Sequence, residues 1–194
     1  MRKVLLFVTL CLLLKVQAAD RFVTFTAKPG TMPLKGAVIA YSDGDFDAVK
    51  IAVGNLKNDM AAVFGPVSDT SDATILIGTV GRNPAIDRLK LKDLKGRREK
   101  FVITSVDGQM VIAGSDRRGT VYGIYELSRQ LGVSPWYWWA DAAIKHREQA
   151  YFIPGTYTDG EPAVEFRGLF LNDEAPCLTG WVKNTFGTGY GDHR

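Results

Sequence analysis

The pattern that most restricts the fold of this chain is an alternation of short apolar runs with one long helical stripe. GAVIAY (36–41) and ATILI (73–77) are short, apolar and bounded by breakers, so both are expected as buried strands. Between them Phe46, Val49, Val53, Leu56 and Met60 recur at spacings of three and four residues. That places one apolar face on a helix of about four turns. Ser42, Asp43 and Asp45 stand just before it, and any of the three can cap its first turn. Gly65-Pro66 ends it. Nearer the N-terminus, RFVTFT (21–26) alternates in character and reads as an edge strand closed by Lys28-Pro29-Gly30.

The same alternation continues. Asn83-Pro84 reads as an N-cap followed by proline at the first helical position. The stretch 89–100 is rich in Lys and Arg and is expected as a solvated loop. Runs 101–106 and 110–113 flank Asp107-Gly108, the signature of a tight hairpin. A helix is expected from about Gly119 to Leu131, with Val121, Ile124, Tyr125, Ser128 and Leu131 inward and Gly132 as its stop. Strand, helix, strand, helix, hairpin, helix defines an α/β domain, assigned to residues 19–160. After Gly160-Glu161-Pro162 the character changes. VEFRGLFL (164–171) reads as a new buried strand ending in Asn172-Asp173-Glu174, so 161–194 is expected to open a second, truncated domain.

The first residues carry an export signal. Arg2 and Lys3 precede the apolar run 4–14, and Val16-Gln17-Ala18 supplies a cleavage site, so 1–18 is expected to be a signal peptide. The run is interrupted by Lys15 and falls short of the about 20 residues of a membrane span. Cleavage takes Lys+Arg from 24 to 21 against 21 Asp+Glu, so the overall charge offers nothing for nucleic acid. Cys11 leaves with the signal and Cys177 alone remains, so no internal disulfide forms and stability rests on the core. The expected location is secreted or periplasmic.

Four segments carry a resemblance. GAVIAYSDGDFDAVKIAVGNL (36–56), GSDRRGTVYGIYELSRQL (114–131), SPWYWWAD (134–141) and FRGLFLNDEAPCLTGW (166–181) together resemble the N-terminal part of glycoside hydrolase family 115, the xylan α-1,2-glucuronidases. The second segment also resembles the α/β domain that precedes the barrel in hexosaminidases and in α-glucuronidases of another family. The resemblance implies a hexosaminidase-like N-terminal α/β domain followed by a (β/α)8 barrel, of which VEFRGLFL would be the first strand. It implies removal of glucuronic acid or its 4-O-methyl ether from glucuronoxylan or its oligosaccharides, with inversion and without a cofactor. A homo-oligomer built through C-terminal domains beyond this chain is compatible with it.

Carried onto this sequence, the family pattern puts Asn172 and Asp173 at the catalytic face, where barrel strands end. Asp173 is the candidate catalytic residue and Asn172 a candidate sugar ligand. Either Trp138 or Trp139 is the candidate aromatic contact to the sugar. Read from chemistry alone, Asp173 would equally cap a following helix, and the Trp cluster would equally pack between domains. Inversion needs two carboxyl groups about 6.5–9.5 Å apart. Adjacent Asp173 and Glu174 cannot supply that pair, so the second acid is expected beyond Arg194 and the chain alone is expected to be inactive. Two other readings stand beside this one: a related exo-glycosidase with another sugar, and a non-catalytic carbohydrate-binding or interaction module using the Trp cluster.

The remaining polar features favour structural roles. Asp43, Asp45 and Asp47 begin like a calcium loop, but Ala48 and Gly54 replace the Gly and Glu it needs. Gly78-Thr79-Val80-Gly81 lacks both phosphate-loop patterns. His146 and His193 lack metal-ligand spacing, so no metal is expected. Arg117 and Arg118 suit a structural ion pair or a solvated turn better than a substrate carboxylate. Arg167, inside an apolar run, is expected to be buried and paired.

Overall fold

The computed structural model describes residues 22–67, 71–138, 142–168 and 179–186. The chain divides into two compact units, Met1–Pro162 and Ala163–Arg194. The expected signal peptide, 1–18, lies outside the described residues.

The first unit is built on a five-stranded mixed sheet. Strands β3 (Val38–Ala40), β4 (Thr74–Thr79), β5 (Phe101–Val106), β6 (Gln109–Gly114) and β8 (Thr156–Tyr157) lie in the order β3-β4-β6-β5-β8. The β3–β4 and β4–β6 pairings are parallel, while β5 runs antiparallel to β6 and β8. A second small sheet has the order β1 (Val23–Thr24), β7 (Tyr151–Phe152), β2 (Met32–Pro33), all antiparallel. The open five-stranded sheet and its helices make a mixed α/β unit, as the alternation of runs predicts.

Period-two patterning sorts the side chains of the central strands onto two faces. Ile75 and Ile77, Phe101 and Ile103, and Met110 and Ile112 point into the larger core. That core is covered by α1 (Asp47–Phe64) and α3 (Arg117–Leu131). Val102, Val111 and Ala113 point the other way, against Ile86 of the short helix α2 (Pro84–Arg88) and against Leu94. The predicted stripe Val49, Val53, Leu56, Met60 is the buried face of α1, joined by Ala52, Val63 and Phe64. The hairpin turns through Asp107 and Gly108, both at positive φ (49° and 76°), the geometry that selects this dipeptide. Asn83 caps α2, accepting from the Ala85 amide at 2.9 Å, and Asp116 caps α3, accepting from the Gly119 amide at 2.8 Å.

Several expectations are corrected. The run 36–41 is an edge strand of three residues rather than a buried one, with Val38 46% exposed, because it has a strand neighbour on one side only. No side chain caps α1: its N-cap is Phe46, and the carboxylate of Asp45 is occupied elsewhere. Helix α3 starts two residues earlier than read, and its inward face runs through Thr120, Gly123, Ile124, Leu127 and Leu131, leaving Tyr125 exposed. The reason is steric. A Cβ on Gly119 would lie 2.3 Å from the Lys100 carbonyl oxygen, and one on Gly123 would lie 2.8 Å from Ile112. Small residues, invisible to an apolar count, bring this helix onto the sheet. The stretch 89–100 is not wholly solvated: Leu94 and Glu99 are buried within it.

In the second unit, residues 164–168 carry no strand, and Phe166 is 89% exposed. This differs from the buried strand expected over 164–171. A barrel strand takes its order from neighbours on both sides, and among the described residues none pairs with this segment. Residues 169–171 lie outside the described residues. Arg167 is exposed rather than buried, its guanidinium donating to the Val164 and Glu165 carbonyls of its own segment. Helix α4 (Thr179–Phe186) comes next. Among the described residues no helix is long and apolar enough to cross a membrane.

Candidate functional site

Open α/β sheets usually bind ligands beyond the C-terminal ends of their parallel strands, where successive loops diverge. In this protein those ends are Ala40 of β3, Thr79 of β4 and Gly114 of β6. The place is filled by the protein's own polar groups. Buried Asp45 accepts hydrogen bonds at 2.8 Å from the amides of Phe46 and Thr79. The hydroxyls of Thr79 and Thr120 lie 2.7 Å apart, and the Thr120 hydroxyl donates to the Asp116 carbonyl at 3.0 Å. Asp116 accepts from the amides of Gly119 and Glu99, each at 2.8 Å. Packing here is so close that a Cβ on Gly114 would lie 2.1 Å from the Thr120 nitrogen.

The loop after β4 is closed in the same way. The amide of Thr79 donates to Asp45, that of Val80 to the Gly114 carbonyl at 3.0 Å, and that of Gly81 to Asp87 at 2.7 Å. The side chain of Asn83 donates to the Ile77 carbonyl at 3.0 Å and sits where a Cβ on Gly78 would stand. Three successive amides, the groups that would cradle a phosphate, are committed internally. Gly78-Thr79-Val80-Gly81 is therefore a turn that ties β4 to α2. Sequence reading missed this network, because its members come from the ends of three elements and carry no local motif.

Charged groups around the first unit are also committed to structure. Arg118 pairs with buried Glu99 at 3.0 Å and stacks over Tyr122, which is the ion pair among the two structural roles expected for it. Asp47 pairs with Lys50 at 2.7 Å across one turn of α1, and that contact holds its carboxyl below the usual range. His146 lies exposed, 3.5 Å from Glu148. Among the described residues two acids have carboxyls raised above their ordinary values. Burial is the main cause for Asp59, opposed by the polar hydroxyl of nearby Ser128. Burial followed by repulsion from Glu126 raises Asp159, against the attraction of Arg129.

The aromatic segment begins in a compact turn. Pro135–Trp138 is a single 3₁₀ turn. It is fixed by Ser134, whose carbonyl accepts from the Tyr137 amide at 2.9 Å and whose hydroxyl accepts from the Trp136 amide at 3.2 Å. Trp136 is 61% exposed and Tyr137 is also exposed, so this turn presents aromatic surface. The four predicted site residues are not brought together within the described part of the chain. Asn172, Asp173 and Trp139 lie outside the described residues, as does the side chain of Trp138.

Comparison with known proteins adds what the described geometry does not hold. Residues 159–194 match the family model "Glycosyl hydrolase family 115", and residues 45–127 match "Glycosyl hydrolase family 67 N-terminus". Among solved structures, the chain is similar to BtGH115A, described as a novel family GH115 4-O-methyl-α-glucuronidase with specificity for decorated arabinogalactans. The identity is 34% over 85% of this chain and 22% of that one, with a TM-score of 0.65. A GH138 enzyme targeting pectin rhamnogalacturonan II is 23% identical over 50% of this chain and 10% of that one, with a TM-score of 0.36. A Flavobacterium johnsoniae chitobiase, FjGH20, is 16% identical over 78% of this chain and 21% of that one, with a TM-score of 0.44. The last two likenesses are too slight to define a shared fold. No curated protein matches.

The family matches and the BtGH115A likeness support a glycoside hydrolase. Within that class the chain is similar to family 115, and it spans 22% of the length of the family 115 relative it matches.

Proposed function

We propose that this chain is the N-terminal part of an exported α-glucuronidase that removes glucuronic acid, or its 4-O-methyl ether, from glucuronoxylan. The observation that carries this reading is the pairing of two matches on one short chain. One is the 34% identity to a GH115 α-glucuronidase over 85% of the chain. The other is the family 115 match over 159–194, which contains Asn172 and Asp173. In this reading VEFRGLFL is the first strand of a (β/α)8 barrel, and the preceding unit is the hexosaminidase-like α/β domain. Asp173 acts on the scissile bond, Asn172 holds the uronic acid, and Trp138 or Trp139 packs against the sugar's C–H face. The closed polar network of the first unit is consistent with a supporting domain, with chemistry placed elsewhere. The signal at 1–18 directs export, to the periplasm or beyond the cell.

The experiment is an assay of uronic acid release by protein that carries the coding sequence beyond Arg194. Glucuronoxylan and glucuronate-decorated arabinogalactan are offered side by side, with Asp173→Asn as control. Release from glucuronoxylan, reduced at least about 100-fold in the variant, is expected. Release from arabinogalactan alone would move the substrate toward that described for BtGH115A, and no release from either would overturn the reading. The 194-residue chain by itself is expected to release nothing.

The exposed rings of Trp136 and Tyr137 favour one second reading, a non-catalytic sugar-binding module. It requires that the 194-residue chain bind xylan oligosaccharides and that Trp136→Ala abolish binding.

A further inference from the structure

The residues where the chain leaves the first unit are held by the basic stretch that sequence reading leaves in solvent. Strand β8 is only two residues long and meets β5 at Ile103 and Thr104. So short a strand gives little hold on the residues after it. The chain is held further along by other groups. The Thr158 hydroxyl donates to the Phe101 carbonyl at 2.5 Å. The Glu161 carboxylate accepts at 3.0 Å from the Arg97 guanidinium and at 2.8 Å from the Arg98 backbone amide. The Arg98 guanidinium then donates to the Pro162 carbonyl at 3.0 Å. Pro162 is the last residue of the unit.

The platform that receives Glu161 is itself fixed. Buried Leu94 anchors the stretch from below, and its carbonyl accepts from the Arg97 amide at 3.1 Å. On the other side the amides of Glu99 and Lys100 donate to Asp116 and Ser115. Glu99 adopts positive φ (53°), a conformation uncommon for a non-glycine residue and held here by those bonds. A carboxylate docking on a pre-set amide and guanidinium loses less freedom than one that must order its partners.

We infer that Arg97, Arg98, Glu161 and Pro162 form a latch that fixes the chain's exit from the α/β unit, with Glu161 as the group that closes it. The carboxyl of Glu161 is held below the usual range first by the Arg98 amide, which outweighs the opposing effect of burial, and further by Arg97. It is therefore the charged form that closes the latch. A bidentate grip of this kind fixes direction as well as distance, because one oxygen meets the backbone and the other a side chain. The inference does not depend on the hydrolase reading.

The latch makes a direct prediction for one amide. The Arg98 N–H donates to Glu161, so its hydrogen exchange reports the latch itself. Amide exchange is measured on the 194-residue chain, wild type against Glu161→Ala, together with the rate of thermolysin cleavage within 158–168. Exchange at Arg98 and cleavage are each expected to rise about tenfold, with the hairpin amides of β5 and β6 unchanged. Rates within about twofold of wild type at both readouts would overturn the inference. If Glu161→Ala also loosens the hairpin, Arg97→Ala, which removes only an exposed side chain, decides by the same cleavage criterion.

Discussion

The hydroxyls of Thr79 and Thr120 meet at 2.7 Å, joining the end of β4 to the first turn of α3 across 41 residues of sequence. Both side chains are buried, at 1% and 0% exposure. Each therefore depends on the other, or on a neighbouring carbonyl, for its hydrogen bonds. Replacing Thr120 by Val keeps the shape and removes the hydroxyl. It leaves Thr79 without this partner and the Asp116 carbonyl without its hydroxyl donor. A loss of about 1–3 kcal/mol is expected in urea unfolding. An unchanged midpoint would mean that the network is not tying strand to helix.

Leu94 is the anchor of the basic stretch. It is fully buried among Ile86, Val102, Val111 and Ala113, on the face of the sheet opposite α1 and α3. Leu94→Ala removes three carbon atoms from that cluster, and a loss of about 2–4 kcal/mol is expected. Thermal unfolding checks it. A loss below about 0.5 kcal/mol, the scale of an ordinary surface change, would return the stretch to solvent.

Asp59 faces Ser128 between α1 and α3, and burial raises its carboxyl above the ordinary value of 3.8. The sign comes from proton binding. The folded state holds the proton to higher pH than the unfolded state, so stability falls as pH rises through the raised value and stays lower at neutrality. Asp59→Asn is expected to raise the melting temperature at neutral pH. Asp59 is only half-buried, so the gain after screening by solvent stays below about 1 kcal/mol. The gain should vanish well below 3.8, where both side chains are neutral. A gain that is the same at both pH values would assign the effect to something other than this ionisation.

What could be read ahead of the fold were the features whose cause is local. The stripe from Val49 to Met60 needs only the period of a helix. Asp107-Gly108 needs only two residues at positive φ, and Asn83 and Gly132 cap helices through groups at most a few residues away. The candidate site was legible only as a resemblance. Asn172 and Asp173 sit in a recognisable tract, but nothing in their spacing says which atoms they face.

The sequence by itself determined the alternation of strands and helices between residues 36 and 131, and it holds the tract at 159–194 that matches the family 115 model. Tertiary structure alone decided which strand is an edge, which face of α3 is inward, and where the charges of 89–100 and Glu161 go. Val38 is exposed because among the described residues no strand lies beyond it, whereas the equally apolar Ile75 has neighbours on both sides. Gly119 and Gly123 face inward because the Lys100 carbonyl and Ile112 come within reach of them. Arg97 and Arg98 are drawn into pairing because Glu161, 63 residues from Arg98, arrives beside them. Periodicity records what a residue prefers; burial and pairing depend on partners that only the closed chain brings near.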